Sequence, residues 1–114
     1  MPMTFVHLTI KGAVTHGAGV LVFDHAAGTV VGVDQGGLQY DGTFALERGE
    51  IKAKVTVKVP AGANLVTGTT AKGPFSFPLE FSVPAEDFTM PIRDIRLPDG
   101  GVVQVQLRPI RKVP

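Results

Sequence analysis

Three histidines, His7, His16 and His25, are the residues of this sequence that could together coordinate a metal ion. No pair of them has the i, i+4 spacing of a helical metal site, and no pair lies two residues apart on one strand. A surface or hydrogen-bonding role is favoured for all three. The chain has no cysteine, so thiolate ligands, disulfides and cysteine nucleophiles are absent. We therefore predict no metal site and no cofactor.

Two glycine-containing segments superficially resemble phosphate-binding loops. The segment 68–73, Gly-Thr-Thr-Ala-Lys-Gly, lacks the Gly-Lys-Ser/Thr ending of a P-loop, and no helical pattern follows it. The segment 17–19, Gly-Ala-Gly, lacks the third glycine of the dinucleotide fingerprint and leads into an apolar, strand-like run. Both are interpreted as turn-forming segments.

Acidic residues could supply general acid–base chemistry, and Asp24, Asp34 and Asp41 all lie near predicted strand ends or turns. A carboxylate in such a place commonly accepts hydrogen bonds from nearby backbone N–H groups. A pair of catalytic carboxylates stays open at this level, but the sequence shows no set of nucleophile, base and orienting residue. Glu86-Asp87 is interpreted as a solvated turn. We predict that the protein has no catalytic residues and is not an enzyme.

The elements that would position any site are predicted to be β-strands. The clearest is 50–59, in which Ile51, Ala53, Val55, Val57 and Val59 alternate with polar residues, as in a strand buried on one face. The same alternation recurs at 75–83 and 103–108, and Pro78 in the former suggests an edge strand, a bulge or a gap in the ladder. Weaker strands are predicted over Thr4–Ile10, Gly19–Asp24, Thr29–Val33, Leu38–Leu46 and between Phe88 and Leu97.

The connections between these strands are short and carry turn residues. Segments 25–28, 34–37, 47–49 and 98–101 contain glycines that tolerate positive φ, whereas 60–73 is predicted to be a long loop with a short strand. No window shows a helical apolar stripe. Eight such strands could form a sandwich or a barrel, and the short connections favour a barrel. We predict a single domain over residues 1–114, an all-β, antiparallel, up-and-down barrel of about eight strands.

Charge and terminal sequence restrict the partners and the location. The formal net charge is only +1, and basic residues are not clustered with exposed aromatic residues, so nucleic-acid binding is disfavoured. The first residues lack the pattern of a signal peptide, so none is expected, and the longest apolar run, 18–23, is too short for a transmembrane helix. We expect a cytoplasmic protein that binds neither nucleic acid nor membrane.

Four glycine- and aromatic-containing segments resemble the GrlR-like family, named for a negative regulator of type III secretion genes. They are Gly-Val-Leu-Val-Phe at 19–23, Gly-Val-Asp at 32–34, Tyr-Asp-Gly-Thr-Phe at 40–44 and Gly-Glu-Ile at 49–51. The resemblance covers about Thr4 to Lys112. It implies a small lipocalin-like barrel with an apolar interior that is usually dimeric and has no enzymatic activity. The acidic run with which the founding regulator binds a transcriptional activator is absent, since the longest acidic run here is Glu86-Asp87.

Two functions remain, and they place different demands on the barrel interior. The first is a regulatory or protein-interaction module with an unknown protein partner, for which a filled interior suffices. The alternative is a carrier of a small apolar ligand, which needs a cavity of a few hundred Å³. The inward phase of the strands gives the candidate lumen-lining residues, which are Val55, Val57, Phe75, Phe77, Phe81 and Val105.

We expect a small apolar cavity, and we also expect a homodimer. An exposed strand edge or apolar patch favours self-association. The face that carries Lys52, Lys54 and Lys58 is a poor dimer surface, because like charges would meet across a two-fold axis.

Overall fold

The fold consists of eight β-strands and, within the described residues, no helix. The computed structural model describes residues 2–13, 16–63, 71–97 and 100–114. The strands are β1 (Met3–Lys11), β2 (His16–Asp24), β3 (Thr29–Asp34), β4 (Gln39–Glu47), β5 (Glu50–Val59), β6 (Phe75–Pro84), β7 (Met90–Arg96) and β8 (Val102–Val113). In this part of the chain, no helix is long and apolar enough to cross a membrane.

All eight strands belong to one antiparallel sheet with the order β6-β5-β4-β3-β2-β1-β8-β7. Neighbours in the sheet are also neighbours in the chain, except that β8 returns to pair with β1. The sheet therefore curls into an up-and-down barrel, as predicted. The barrel is nearly but not fully closed. The two end strands of the sheet, β6 and β7, form no ladder with each other among the described residues. We call the gap between these two strands the seam.

The core follows the alternation that is visible in the sequence. On β5 every second residue from Ile51 to Val59 is buried, and the residues between them are exposed. Val83, Leu79 and Phe81 on β6 are buried too. The predicted inward phase is therefore confirmed for β5 and for the second half of β6, whereas Phe77 is only partly buried and Phe75 is 37% exposed. The other fully or nearly fully buried side chains include Val6, Leu8, Leu21, Phe23, Val30, Tyr40, Phe88, Met90, Val103, Val105 and Leu107.

Glycine is required where two strands approach closely. A Cβ atom at Gly42 would overlap the carbonyl oxygen of Lys54 on the neighbouring strand β5. One at Gly32 would lie 2.6 Å from the carbonyl oxygen of Val20 on β2. Both glycines therefore permit the tight coiling that a small barrel needs.

Prolines lie along the seam, where a strand has no partner to accept its N–H groups. Pro78 is paired in register with Thr56 of β5, and β6 is an edge strand, one of the alternatives that the sequence predicted. Because proline has no N–H group, it is tolerated on an edge strand and limits further strand pairing there. Pro91 lies at the irregularity of β7, between Met90 and Arg93.

Strand β8 is longer than predicted, and it continues through Pro109 to Val113. The prediction ended it at Arg108, because Pro109 and the two basic residues Arg111 and Lys112 interrupt the apolar alternation. The pairing with β1 shows why the strand continues: Phe5 faces Arg111 and Val6 faces Pro109, so Ile110 is the extra residue of a bulge. Residues 64–70 of the predicted long loop, and Pro98 and Asp99 of the predicted turn, lie outside the described residues.

Candidate functional site

The outer surface of strands β1 to β3 carries a continuous apolar patch. Phe5, Val22 and Val31 are paired side by side in one row, and Val20 and Val33 are paired in the next. Residues directly opposite each other on adjacent strands lie on the same face of a sheet. Val31 is 52% exposed and Val33 is 59% exposed, whereas the other three are partly buried. We call these five residues the valine face.

The valine face is bordered by polar residues on both sides. On the β8 side, Arg111 is opposite Phe5, and Arg108 is opposite His7, which itself faces Val20. On the β4 side, Asp41 is opposite Val31 and Gln39 is opposite Val33. An apolar centre with a polar rim is the arrangement expected of a protein-binding surface.

Sequence reasoning missed the valine face. The signal that could have revealed it is the run Val20-Leu21-Val22-Phe23, which is apolar in both phases of a strand that the barrel buries on one side only. Leu21 and Phe23 are in the core, so Val20 and Val22, which alternate with them, have to point outward. Such a run is typical of strands that are covered on both faces.

Inside the barrel, an apolar cavity of about 70 Å³ lies at the end where β6 begins and β7 ends. Gly17, Gly36 and the partly exposed Phe75 are at its rim. Its wall is otherwise formed by Leu8, Ile10, Asp34, Leu38, Tyr40, Val57, Phe77, Leu79, Ile95, Leu97, Val103 and Val105. The cavity therefore borders both sides of the seam.

The candidate lumen-lining residues divide into two groups. Val57, Phe75, Phe77 and Val105 lie in the cavity wall, whereas Val55 and Phe81 are buried in the core away from it. Phe81 instead contacts Phe23, with a ring-centroid distance of 6.3 Å. Sequence alternation gives the inward phase of a strand, but it does not show at which level of the barrel the side chains leave a gap.

Two polar side chains, Asp34 and Tyr40, meet in the cavity wall. The Tyr40 hydroxyl donates a hydrogen bond of 2.8 Å to Oδ2 of Asp34. The other oxygen, Oδ1, accepts hydrogen bonds from the backbone N–H groups of Gly36, at 2.9 Å, and Leu38, at 3.1 Å. Burial, and then the adjacent Asp34 carboxylate, raise the pKa of Tyr40 well above its usual value. Tyr40 is therefore a neutral hydrogen-bond donor at physiological pH.

The opposite end of the barrel is closed by aromatic side chains. Phe23 contacts Phe44 and Phe88 edge to face, with ring centroids 5.4 and 5.1 Å apart. His25 packs on Phe44 and Phe88, and its Nε2 is 2.8 Å from the hydroxyl oxygen of the buried Thr4. At this end the barrel interior is therefore packed with aromatic rings, while Thr4, His25 and Phe88 also line an open groove on the outside, together with Ala85 and Lys112.

The three histidines and the aspartates of the predicted turns do not form one cluster. His16 is exposed at the start of β2, and Nδ1 of His7 is buried without a hydrogen-bond partner in the described structure. Asp24 accepts hydrogen bonds from the N–H groups of residues 26 and 27, so the predicted local role is confirmed for Asp24 as it is for Asp34. No group of three or more metal-ligating side chains occurs in the described ranges.

Comparison of the chain with protein-family models, with curated proteins and with solved structures gave no significant match. The resemblance to the GrlR-like family stays a prediction. Functional inference therefore depends on the valine face and on the cavity.

Proposed function

We propose that this protein is a non-enzymatic protein-interaction module that forms a homodimer through its valine face. The observation that carries the proposal is the exposure of Val31 and Val33 within a continuous apolar patch. The regulatory role implied by the GrlR-like resemblance belongs to the same proposal, as does a cytoplasmic location, with which a cysteine-free chain is compatible.

A second copy of the chain is the partner whose chemistry fits this surface best. In a two-fold symmetric interface, the same patch is present on both sides, so it must be complementary to itself. The valine face has no formal charge, and its centre lies on β2, with Phe5 on one side and Val31 on the other. A two-fold axis parallel to β2 places Phe5 against the second copy's β3 valines, and apolar groups then meet apolar groups throughout.

The charges around the face favour the same arrangement. With the axis parallel to β2, β8 of one copy and β4 of the second copy lie on the same side of the dimer. Arg108 and Arg111 of one copy are then on the same side as Asp41 of the second copy. An axis across the strands would instead bring the arginines of both copies together. Opposite charges at the rim of an interface favour one orientation over the other.

The test is to measure the mass of the wild type and of Val31→Asp by sedimentation over a wide concentration range. We expect a dimeric wild type, and we expect the variant to keep its fold and to dimerise about 100-fold more weakly or not at all. The reason is that each interface would contain two unpaired carboxylates, each costing about 1–3 kcal/mol. Circular dichroism and thermal melting check that the variant is folded.

The matched control is Thr56→Asp, which introduces the same charge at another exposed, outward, β-branched position. This variant should dimerise like the wild type. A wild type that stays monomeric at all concentrations, or a Val31→Asp variant as dimeric as Thr56→Asp, would contradict the proposal.

The cavity favours a second function, the binding of a small ligand. Its volume of about 70 Å³ is well below the few hundred Å³ that a carrier of a fatty acid needs. It is also about half the volume of an engineered cavity of about 150 Å³ that binds benzene. A ligand of this site would therefore be small. Titration with xenon, which is small enough for this cavity, tests whether any apolar species enters, and saturable binding that a cavity-filling Val105→Phe variant loses would support this function.

A further inference from the structure

The cavity wall combines an apolar surface with a single formal charge. Asp34 is the charged residue among the lining residues, and the Tyr40 hydroxyl is the one other polar side chain there. A carboxylate has about four acceptor positions on its two oxygens. Three are used by the N–H groups of Gly36 and Leu38 and by Tyr40, which leaves one position on Oδ2.

No cation of the described part of the chain neutralises this carboxylate. The ion pairs within 4 Å there join Lys52 to Glu47 and Lys58 to Asp41, on the outer surface. The remaining lining residues of the cavity are aliphatic, phenylalanine or glycine. A carboxylate beside an apolar cavity, with an acceptor position free and no cation next to it, favours a ligand that supplies both a positive charge and an alkyl group.

We propose that the cavity binds an aliphatic primary ammonium, with the ammonium group at Oδ2 of Asp34 and the alkyl group among Leu8, Val57 and Val105. An ammonium group has three N–H donors, so one can bond to Asp34 while the others bond to water at the rim. Neutral Tyr40 orients the carboxylate by donating to the same oxygen. This inference rests on the second function proposed above, and it is independent of the valine face.

The cavity volume limits the size of the alkyl group. By comparison with the roughly 150 Å³ that hold the six carbons of benzene, about 70 Å³ enclose about three carbons. A four-carbon chain then fits if its first carbon stays at the rim beside the ammonium. Two sources share this chemistry: a free short-chain amine, and the α-ammonium group of a polypeptide that begins with valine, leucine or isoleucine.

The test is titration of the full chain with n-butylammonium, n-butanol and butyrate, followed by the amide NMR signals of Gly36 and Leu38. We expect saturable shifts with n-butylammonium, at least tenfold weaker binding of n-butanol, and no saturation with butyrate. The Asp34→Asn variant keeps an oxygen for the two N–H groups and removes the charge, so its preference for n-butylammonium over n-butanol should disappear. In the Val105→Phe variant, which leaves Asp34 in place, binding of n-butylammonium should be lost.

Equal binding of n-butylammonium and n-butanol by the wild type would overturn the ammonium proposal, while the small-ligand function would stand. Absence of saturable binding of all three compounds and of xenon would overturn both. Because these comparisons use the wild type, they hold even if Asp34→Asn does not fold. Leucinamide and the peptide Leu-Gly-Gly, with free and acetylated N-termini, then separate the two sources. Stronger binding of the free peptide than of leucinamide assigns the site to a polypeptide N-terminus.

Discussion

Strands β1 to β3 and strand β5 have similar inner surfaces, but their outer surfaces differ in character, one apolar and the other charged. Both regions bury valine, leucine, isoleucine, alanine or phenylalanine toward the core. On the outside, β1 to β3 carry the valine face, whereas β5 carries Lys52, Lys54 and Lys58, which are all exposed and which we call the lysine face. Since the inner surface alone is enough to form the barrel, the difference between the two outer surfaces bears on the proposed binding and not on the fold.

The lysine face has features that keep a β-surface free of partners. Its lysines alternate along β5 with core residues, and charged side chains discourage the association of exposed sheets. It is next to edge strand β6, in which Pro78 removes an N–H group. The valine face has neither feature, and it lies at the middle of the sheet, away from the seam.

The largest effect is expected from a charge placed in the core beneath the lysine face. Val55 is 3% exposed, and Val55→Asp should unfold the domain, because an unpaired buried carboxylate costs several kcal/mol, comparable with the total stability of a small domain. Circular dichroism and chemical denaturation measure this. The same substitution at the exposed Val31 should leave the fold intact. If both variants unfolded to the same extent, the valine face would be part of the core and the comparison would fail.

A smaller effect, on self-association, is expected when the lysine face is made apolar. The triple variant Lys52→Val, Lys54→Val and Lys58→Val should associate beyond the dimer, because a second apolar surface on each copy allows open-ended assembly. Light scattering over a concentration series measures the mass. The triple Lys→Gln variant removes the same charges without adding apolar surface, and it should behave like the wild type. An unchanged mass of the valine variant would show that outer apolarity is not sufficient for association of this barrel.

The contrast between the two faces also explains what could be predicted from the sequence. Strand β5 was predicted with its observed bounds, Glu50–Val59, because a lysine-rich outer phase makes the apolar inner phase visible. Strand β2 was predicted from Gly19 but begins at His16, and β3 was predicted to Val33 but ends at Asp34, because the residues at these ends do not continue the apolar run. The valines of β2 and β3 lay within the predicted strands but their outward exposure was not predicted, whereas the largest errors in strand extent concern β7 and the end of β8.

The cavity could not be predicted in detail for a different reason. Asp34 was recognised as a turn residue, and its bonds to the N–H groups of Gly36 and Leu38 are local. Its contact with Tyr40 and its position beside Val57 and Val105 depend on how distant strands pack around the lumen. Periodicity carries no information on that packing.

A moderate effect of pH is expected from Tyr40, which lies on the inner surface of β4, between the two faces. The unfolded chain loses the tyrosine proton near pH 10, while the folded protein, with its raised pKa, retains it. The unfolded state then binds fewer protons, so this contribution to stability is complete below about pH 10 and decreases above it by about 1.4 kcal/mol per pH unit.

The measurement uses the fact that the chain has one tyrosine and no tryptophan. Tyrosinate absorbance should therefore appear together with unfolding and not before it. In Tyr40→Phe, the free energy of unfolding should lose this part of its dependence on alkaline pH. Titration of the tyrosine with an ordinary pKa in a protein that is still folded would show that Tyr40 is not shielded by the barrel wall.

The smallest effect is expected from the ion pairs of the lysine face. Lys58 Nζ is 3.3 Å from Oδ2 of Asp41, and the two side chains are 57% and 47% exposed. Exposed pairs contribute only about 0.2–1 kcal/mol, because water and salt screen them and two long side chains lose freedom. Lys58→Met should therefore lower the free energy of unfolding by less than about 1 kcal/mol, and added salt should reduce the difference. The matched control is Lys54→Met, since Lys54 has no ion pair within 4 Å among the described residues. A loss of more than about 2 kcal/mol in Lys58→Met alone would mean that the lysine face also stabilises the barrel, and the two faces would then differ in a structural role as well as in the proposed binding.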